Sequence, residues 1–359
     1  MITISLCMIV KNEEQVLARC LDSICSEVDE IIILDTGSGD ETKSIAGRYT
    51  DLIYDFQWID DFAAARNAAF AKAKMEYILW LDADDVFEPD DLIKFSKLKE
   101  NLSTDVDSVS MNYILAADEY GNITLKLRRN RLVKRSCNFI WVGAVHEYLE
   151  VYGNIFSSDI SVIHKSHYHD NDRNLNICDK RLARGEVFSP RDQYYFANEL
   201  FDHGMYSRAV TYYEQFLSDN KGWIEDNISS CSKLADCYHY LGNYEYELQS
   251  VLRSFRYSSP RPEFCCRLGY YFLENNNVLS AVFWYKAAIQ PEQPEGFGFS
   301  NPIYSTFLPH LQLCVCYDRL GNYKLAYLHN EVARQYRPDD PRVLSNRQYL
   351  EPIQEDNDK

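Results

Sequence analysis

Residues 77–91 read YILWLDADDVFEPDD, and this stretch decides the architecture of the first half of the chain. Five apolar residues run straight into Asp82, Asp84 and Asp85, with Glu88, Asp90 and Asp91 close behind. Carboxylates this close repel one another, and each raises the other's pKa unless a cation neutralises them. The stretch therefore predicts a buried strand whose carboxyl end delivers a cation site. Pro89 suits the first turn of a helix and Asp90 and Asp91 complement its dipole, so these two acids are assigned to a helix start. Asp82 and Asp84 lie two apart in what reads as extended chain, so they are expected to point the same way and to bind metal.

Upstream, strand and helix patterns alternate. TISLCMIV (3–10), EIIIL (30–34), DLIYDF (51–56) and YILWL (77–81) read as strands. Between them a helix places Val16, Leu17, Cys20, Leu21 and Ile24 on one face, and DDFAAARNAAFAKAK (60–74) reads as an alanine-rich helix. This is the alternation of a mostly parallel, doubly wound α/β sheet, whose ligands bind beyond the carboxyl ends of the strands. Downstream, SVSMNYILAADEYGNITLKL (108–127) predicts a hairpin around DEYGN. KLRRNRLVKR (126–135), with Arg131 among its six cations, reads either as a charged edge strand or as an anion clamp.

From about residue 190 the pattern becomes tyrosine-rich and repetitive. Four segments align on Gly204, Gly242, Asn276 and Gly321, followed two residues later by Tyr206, Tyr244, Val278 and Tyr323, and then by Ala209, Glu247, Ala281 and Ala326. The spacing is close to that of tetratricopeptide helix pairs, with PEQPEGFGFSNP (291–302) as an insertion loop. The expected organisation is an α/β domain over residues 1–180 and an all-α helical repeat domain over 181–359. A solenoid of this kind binds a partner or a second copy of itself.

The chain has 359 residues, is 46% hydrophobic and carries a formal net charge of −17, which suits a globular protein of about two domains. Nucleic acid and anionic membrane surfaces are not expected partners, since both require a basic footprint. No apolar run is long enough to span a membrane. Eleven cysteines without CxxC pairs argue for a reducing compartment, the cytoplasm. GSGDET lacks the GK[ST] of a phosphate-binding loop, and there is no GxSxG elbow.

MIVKNEE (8–14), LDSI (21–24), VDEIIILDTGSGDET (28–42), DDFAAARNAAF (60–70) and YILWLDADD (77–85), taken in order, resemble family 2 glycosyltransferases with a GT-A fold. The likeness covers roughly the first 165 residues. It extends to bacterial members fused to tetratricopeptide repeats, a group that includes peptide S-glycosyltransferases and surface-glycan enzymes. The resemblance implies that Asp82-Ala83-Asp84 is a DxD motif holding Mg²⁺ or Mn²⁺ against the diphosphate of a nucleotide sugar, most simply a UDP-sugar. It implies that Lys11, Asn12, Glu13 and Asp35 surround the nucleoside and that Arg66 lies near the donor; on the anion-clamp reading of the basic run, Arg131 joins the donor-binding set. The alternative for Arg66 is a local pair with Asp60 or Asp61. Many members carry two aspartates after the second strand; here Asp35 is followed by Thr36.

An inverting transferase needs one base for the acceptor's proton. In WVGAVHEYL (141–149) Glu147 is the first candidate and His146 the second, with Asp85 as the fallback. In VIHKSHYH (162–169) His164 is the expected added metal ligand, while His167 and His169 share a face if the segment is a strand. The implied reaction is metal-dependent transfer of a sugar, with inversion, to a peptide, protein or glycan acceptor. The repeat domain would present that acceptor or build a homodimer. The competing readings are a non-catalytic scaffold with a decayed sugar-nucleotide domain and a sugar nucleotidyltransferase.

Overall fold

The computed structural model describes residues 1–165, 172–289 and 301–357. In the first part of the chain the strands are β1 (Ile4–Val10), β2 (Glu30–Asp35), β3 (Ile53–Asp55), β4 (Tyr77–Trp80), β5 (Asp85–Val86), β6 (Ser108–Ala117), β7 (Ile123–Lys134), β8 (Ile140–Val142), β9 (Tyr148–Glu150) and β10 (Ile155–His164). The helices are α1 (Leu17–Asp22), α2 (Thr42–Ala46), α3 (Phe62–Phe70), α4 (Pro89–Asn101) and α5 (Asp172–Ala183). Eight strands form one sheet in the order β3-β2-β1-β4-β7-β6-β10-β5, and β8 and β9 make a separate antiparallel pair.

The continuous apolar runs of β1, β2 and β4 arise because both faces of the sheet are covered. Leu6, Met8, Ile31, Ile33 and Leu79 face Leu17, Cys20, Leu21, Ile24 and Phe95 on one side. Cys7, Ile32, Leu34 and Ile78 face Ala65 and Ala69 of α3 on the other. Alanines let α3 approach closely enough for the Cys7 thiol to contact the Ala69 carbonyl at 3.7 Å. Asp61 caps α3, its Oδ1 accepting from the amide of Ala64 at 2.9 Å.

Register places the functional edge. β1 pairs in parallel with β2, Val10 opposite Asp35, and with β4, Cys7 opposite Trp80, so three strands release their loops on one side. After β4 the chain turns, the amide of Asp85 donating to the carbonyl of Asp82 at 3.1 Å. β5 then pairs antiparallel with the end of β10, setting His164 opposite Asp85.

The expected hairpin forms around Asp118, whose amide donates to the Asn122 carbonyl at 2.9 Å. The basic run, however, is not an edge strand: β7 lies inside the sheet between β4 and β6. A strand at that position has covered faces, and two of its cations are taken up within the protein. Arg128 donates to Ser110, to Asn112 and to the Ser158 carbonyl, and Arg131 is fully buried.

Compact clustering divides the chain into residues 1–115 with 126–195, and residues 116–125 with 196–359. The expected boundary at residue 180 falls inside α5. In the second unit the hairpin tip is held by an Asp118–Arg337 ion pair at 2.9 Å. The remaining helices are α6 (Pro190–Asp202), α7 (Tyr206–Asp219), α8 (Ile224–Tyr240), α9 (Tyr244–Arg253), α10 (Pro262–Glu274), α11 (Val278–Ile289), α12 (Phe307–Arg319), α13 (Tyr323–Tyr336) and α14 (Pro341–Asn357). Gly204, Gly242, Asn276 and Gly321 all adopt left-handed φ, between +56° and +74°, and each ends the first helix of a pair. The aligned Ala209, Ala281 and Ala326 are fully buried, and Glu247 is instead held by His239 at 3.0 Å. Of the expected insertion loop only Asn301 and Pro302 lie among the described residues; His167 and His169 lie outside them. Among the described residues no helix is long and apolar enough to cross a membrane.

A glycine within a helix is normally improved by alanine, but at Gly269 an added Cβ would sit 2.7 Å from the ring of Tyr285, itself 1% exposed. Gly269→Ala is expected to destabilise the repeats by roughly 1–3 kcal/mol, the cost of overpacking. Urea unfolding followed by circular dichroism checks this, and a raised midpoint would show that the helix pair can separate.

Candidate active site

The loops that leave the aligned strand ends enclose a cavity of about 820 Å³. Its walls include Lys11, Asn12 and Glu13 after β1, Thr36 and Asp40 after β2, and Asp82 and Asp84 after β4. Trp58, Phe62, Trp141 and His146 line it as well.

Arg66 organises one wall. Its Nη2 donates to Asp82 Oδ1 at 2.6 Å and its Nε to Glu147 Oε1 at 2.5 Å. The guanidinium lies between the indoles of Trp80 and Trp141, 5.1 and 4.8 Å from their ring centroids. Asn67, the next residue, clamps the β8 strand to α3: its Nδ2 donates to the Trp141 carbonyl and its Oδ1 accepts from the Trp141 amide. The alternative pairing of Arg66 with Asp60 or Asp61 does not form. Asp61 caps α3, and Asp60 takes the Trp58 indole N–H and Lys180.

Asp82 and Asp84 do not point the same way, because the chain is turning there and strand alternation does not apply. Asp82 goes to Arg66, while Asp84 Oδ1 lies 3.3 Å from Nδ1 of His164. Asp84, Asp85 and His164 bring one ligand atom each within 4.8 Å of one another, so Asp85 stands where Asp82 was expected. Asp85 has no exposed surface; Arg131 pairs with it at 2.9 Å, and its Oδ2 accepts from the amide of Asp82. Its Oδ1 is buried without a hydrogen-bond partner. Arg131, also without exposed surface, is enclosed by Trp80 and Tyr113 at 4.0 and 4.3 Å. Arg131 therefore does not line the cavity: it neutralises Asp85 from beneath.

The loops after β1 and β2 are stitched together. The Asn12 amide donates to Ser38 Oγ at 2.9 Å, Asn12 Oδ1 accepts from the Gly39 amide at 2.8 Å, and the Glu13 amide donates to Thr42 Oγ1 at 2.7 Å. Asp35 is 1% exposed and holds its own loop, its Oδ2 accepting from the amides of Gly37 and Ser38 at 3.0 Å each, while its Oδ1 is buried without a hydrogen-bond partner. Thr36 and Asp40, not singled out from the sequence, line the cavity in its place, as do Trp58, Arg129 and Arg173. For Thr36 and Asp40 the only signal was adjacency to a strand end, whereas Arg129 lay in the basic run read as a possible anion clamp. His146 has a left-handed backbone, φ +52°, and stacks on Tyr195 at 4.3 Å.

The electrostatics follow from this placement. Burial works against the charged form of Asp82, but Arg66 and Arg131 outweigh it and hold the carboxyl at about 2. Burial, then Asp84 and Asp82, push Glu13 up to about 7. The carboxylates of Asp84 and Asp85, 3.3 and 3.8 Å from its Nδ1, push His164 up to about 10 against its partial burial. The raised values of Glu13 and His164 both record the carboxylates gathered at this edge, the kind of crowding a bound cation relieves.

Residues 5–148 match the family described as Glycosyl transferase family 2. The chain is 27% identical over 260 residues to the SPbeta prophage-derived glycosyltransferase SunS of Bacillus subtilis, a match that takes in 67% of this chain and 60% of that protein. It is 51% identical over 85 residues to a TPR repeat-containing protein of Synechococcus elongatus, 24% of this chain and 21% of the relative. The chain therefore spans about three-fifths of the one relative's length and about a fifth of the other's. Among solved structures, glucosyl-3-phosphoglycerate synthase of Mycobacterium tuberculosis with Mn²⁺ and UDP-glucose aligns at a TM-score of 0.37 and 15% identity, over 52% of this chain and 81% of that one.

Asp82 has a depressed pKa in the fold, so its contribution to stability is complete above its ordinary value of about 3.9 and is lost as pH falls through about 2. Arg66→Met removes the largest lowering influence and is expected to raise the pH of acid unfolding. The loss of stability at neutral pH should fall near the low end of roughly 3–5 kcal/mol for a broken buried pair, since Asp82 keeps part of its side chain in solvent. Circular dichroism against pH reads both; an unmoved acid midpoint would mean that another group holds Asp82.

Proposed function

We infer that the chain carries a family 2 glycosyltransferase domain, on the match of residues 5–148, ahead of tetratricopeptide-like repeats. From that premise we propose that it moves a sugar from a nucleotide donor, UDP-linked, to a peptide, protein or glycan acceptor, with inversion and with the help of a divalent metal. The observation that carries this reading is the mixed charge of one cavity. The acids Glu13, Asp40, Asp82 and Asp84 share it with Lys11, Arg129 and Arg173. Among the described residues these three cations make no ion pair with the protein. A metal diphosphate needs both kinds of wall.

The residues fit Mg²⁺ or Mn²⁺. Asp84, Asp85 and His164 converge, and the buried Oδ1 of Asp85 lacks a hydrogen-bond partner. Carboxylate oxygens suit these hard ions and one imidazole is tolerated. Asp84, Asp85 and His164 would hold the metal with Asp82 alongside, and the ion would stabilise the charge that develops on the departing diphosphate.

The chain's own groups do the rest. The stitched loops of Lys11, Asn12 and Glu13 support the nucleoside, and Asp35 serves them by fixing the turn after β2. Glu147 takes the proton from the acceptor's hydroxyl or thiol as that atom bonds to the anomeric carbon and the bond to the diphosphate breaks. Arg66 holds Glu147 by one oxygen, which orients the carboxylate and ties it to the Asp82 side of the site. His146, also on the cavity wall, is the second candidate. Asp85 has no surface to offer an acceptor and is removed from the bases. The repeats are assigned to acceptor presentation or self-association, and Tyr240 and Tyr244, 61% and 65% exposed, are available for either. The cysteines are free thiols, most of them buried, which fits a cytoplasmic setting.

Two variants test the assignment. With a panel of nucleotide sugars and Mn²⁺ or Mg²⁺, Asp84→Asn is expected to abolish metal-dependent nucleotide binding and release of nucleoside diphosphate. Glu147→Gln is expected to keep nucleotide binding, by calorimetry, while slowing transfer roughly 10²–10⁴-fold, the range for a general base. Equal loss of binding in both variants would place Glu147 in donor binding and move the base to His146.

A further inference from the structure

The basic run on β7 leaves one arginine unexplained. Arg128 is engaged by Ser110, Asn112 and the Ser158 carbonyl; Arg131 pairs with Asp85 and the Trp80 carbonyl, and its Nε and Nη2, buried without partners, are sealed from the cavity. Arg129, between them in sequence, lines the cavity. Among the described residues it makes no hydrogen bond and no ion pair, and its Nε is buried without a partner. A buried donor left unmade is costly, and a cation in an acid-rich wall would be expected to pair with a carboxylate. One carboxylate that feels its charge, Asp82, is engaged elsewhere, its Oδ1 taken by Arg66.

We propose, resting on the glycosyltransferase reading, that Arg129 is a donor-binding residue whose guanidinium receives phosphate oxygens of the nucleotide diphosphate. Its position favours the diphosphate over the nucleoside or the acceptor. It lines the same cavity as Asp82, Asp84 and His164, and its charge acts on Asp82, beside the residues where the metal ligands converge. A diphosphate held there has oxygens left over after metal coordination, and a planar fork of N–H donors matches them in charge and geometry. A carboxylate on the transferred sugar would present similar oxygens, so the experiment separates the two sources.

Calorimetry on the full chain with Mn²⁺ compares uridine, UMP, UDP and UDP-glucuronate for wild type, Arg129→Met and Arg129→Lys. Arg129→Met is expected to weaken UDP binding roughly 10- to 100-fold, the value of a charge-assisted hydrogen bond, while leaving uridine unchanged. Arg129→Lys should recover part of the loss, as a merely structural arginine would not. If the Met variant does not fold, Arg129→Gln makes the same comparison. Wild-type binding of UDP that both neutral variants match overturns the proposal and leaves the glycosyltransferase reading standing. A loss confined to UDP-glucuronate moves Arg129 to a sugar carboxylate and also overturns it. If the wild type binds none of UDP, GDP, ADP or dTDP, the functional reading falls and takes the proposal with it.

Discussion

Two arginines make the carboxylates beyond β4 tolerable, and the rest of the site depends on them. Arg66, from α3, spans Asp82 and Glu147; Arg131, from β7, lies under Asp85. Each guanidinium is walled by aromatic rings, Trp80 being shared by both. Enclosure of this kind removes water from the ion pairs and raises both the attraction within a pair and the cost of breaking it. Asp82 is therefore held ionised at a sheet edge where like charges crowd together.

The same constraint divides labour among residues that look equivalent in sequence. Of the three acids in the DADD run, Asp82 is tied to the arginine that also holds Glu147, Asp84 to the histidine, and Asp85 to the buried floor. Of three arginines in RRNR, one knits strands together, one faces the cavity and one is sealed inside. The chemistry available to each follows from what it touches. A carboxylate with no solvent-accessible surface can support a site but cannot meet an acceptor, and an arginine enclosed on all sides cannot meet a phosphate.

Rigid support extends to the loops. Asn12 adopts a left-handed backbone, φ +56°, and reaches across to the loop after β2, while Asp35 uses its own carboxylate to hold that loop's amides. Loops crossing the end of a parallel sheet have many amides that no strand partner satisfies, and side chains of this kind supply the missing acceptors. Asp35 is thereby consumed in shaping the site, and residues beside it, Thr36 and Asp40, form the wall.

Local pattern was enough for much of this. Unbroken apolar runs specified strands buried on both faces, alanine spacing specified the closely packed α3, and the aligned glycines specified left-handed helix ends, because each is a property of a few neighbouring residues. Arg66, Glu147 and the DADD run were legible as a site for the same reason: polar groups at the ends of apolar elements have few structural uses. What the tertiary structure alone decided was pairing across long separations. His164 meets Asp85 only because β5 joins the antiparallel edge of β10, 79 positions on, and β7 is interior only because of the strand order. Burial of Arg131 and exposure of Arg129 to the cavity followed from that order. A period-two pattern says which side chains share a face of a strand, but it carries no information about which strand lies next to it. That neighbour decides whether a charge is neutralised by the protein or left for a ligand.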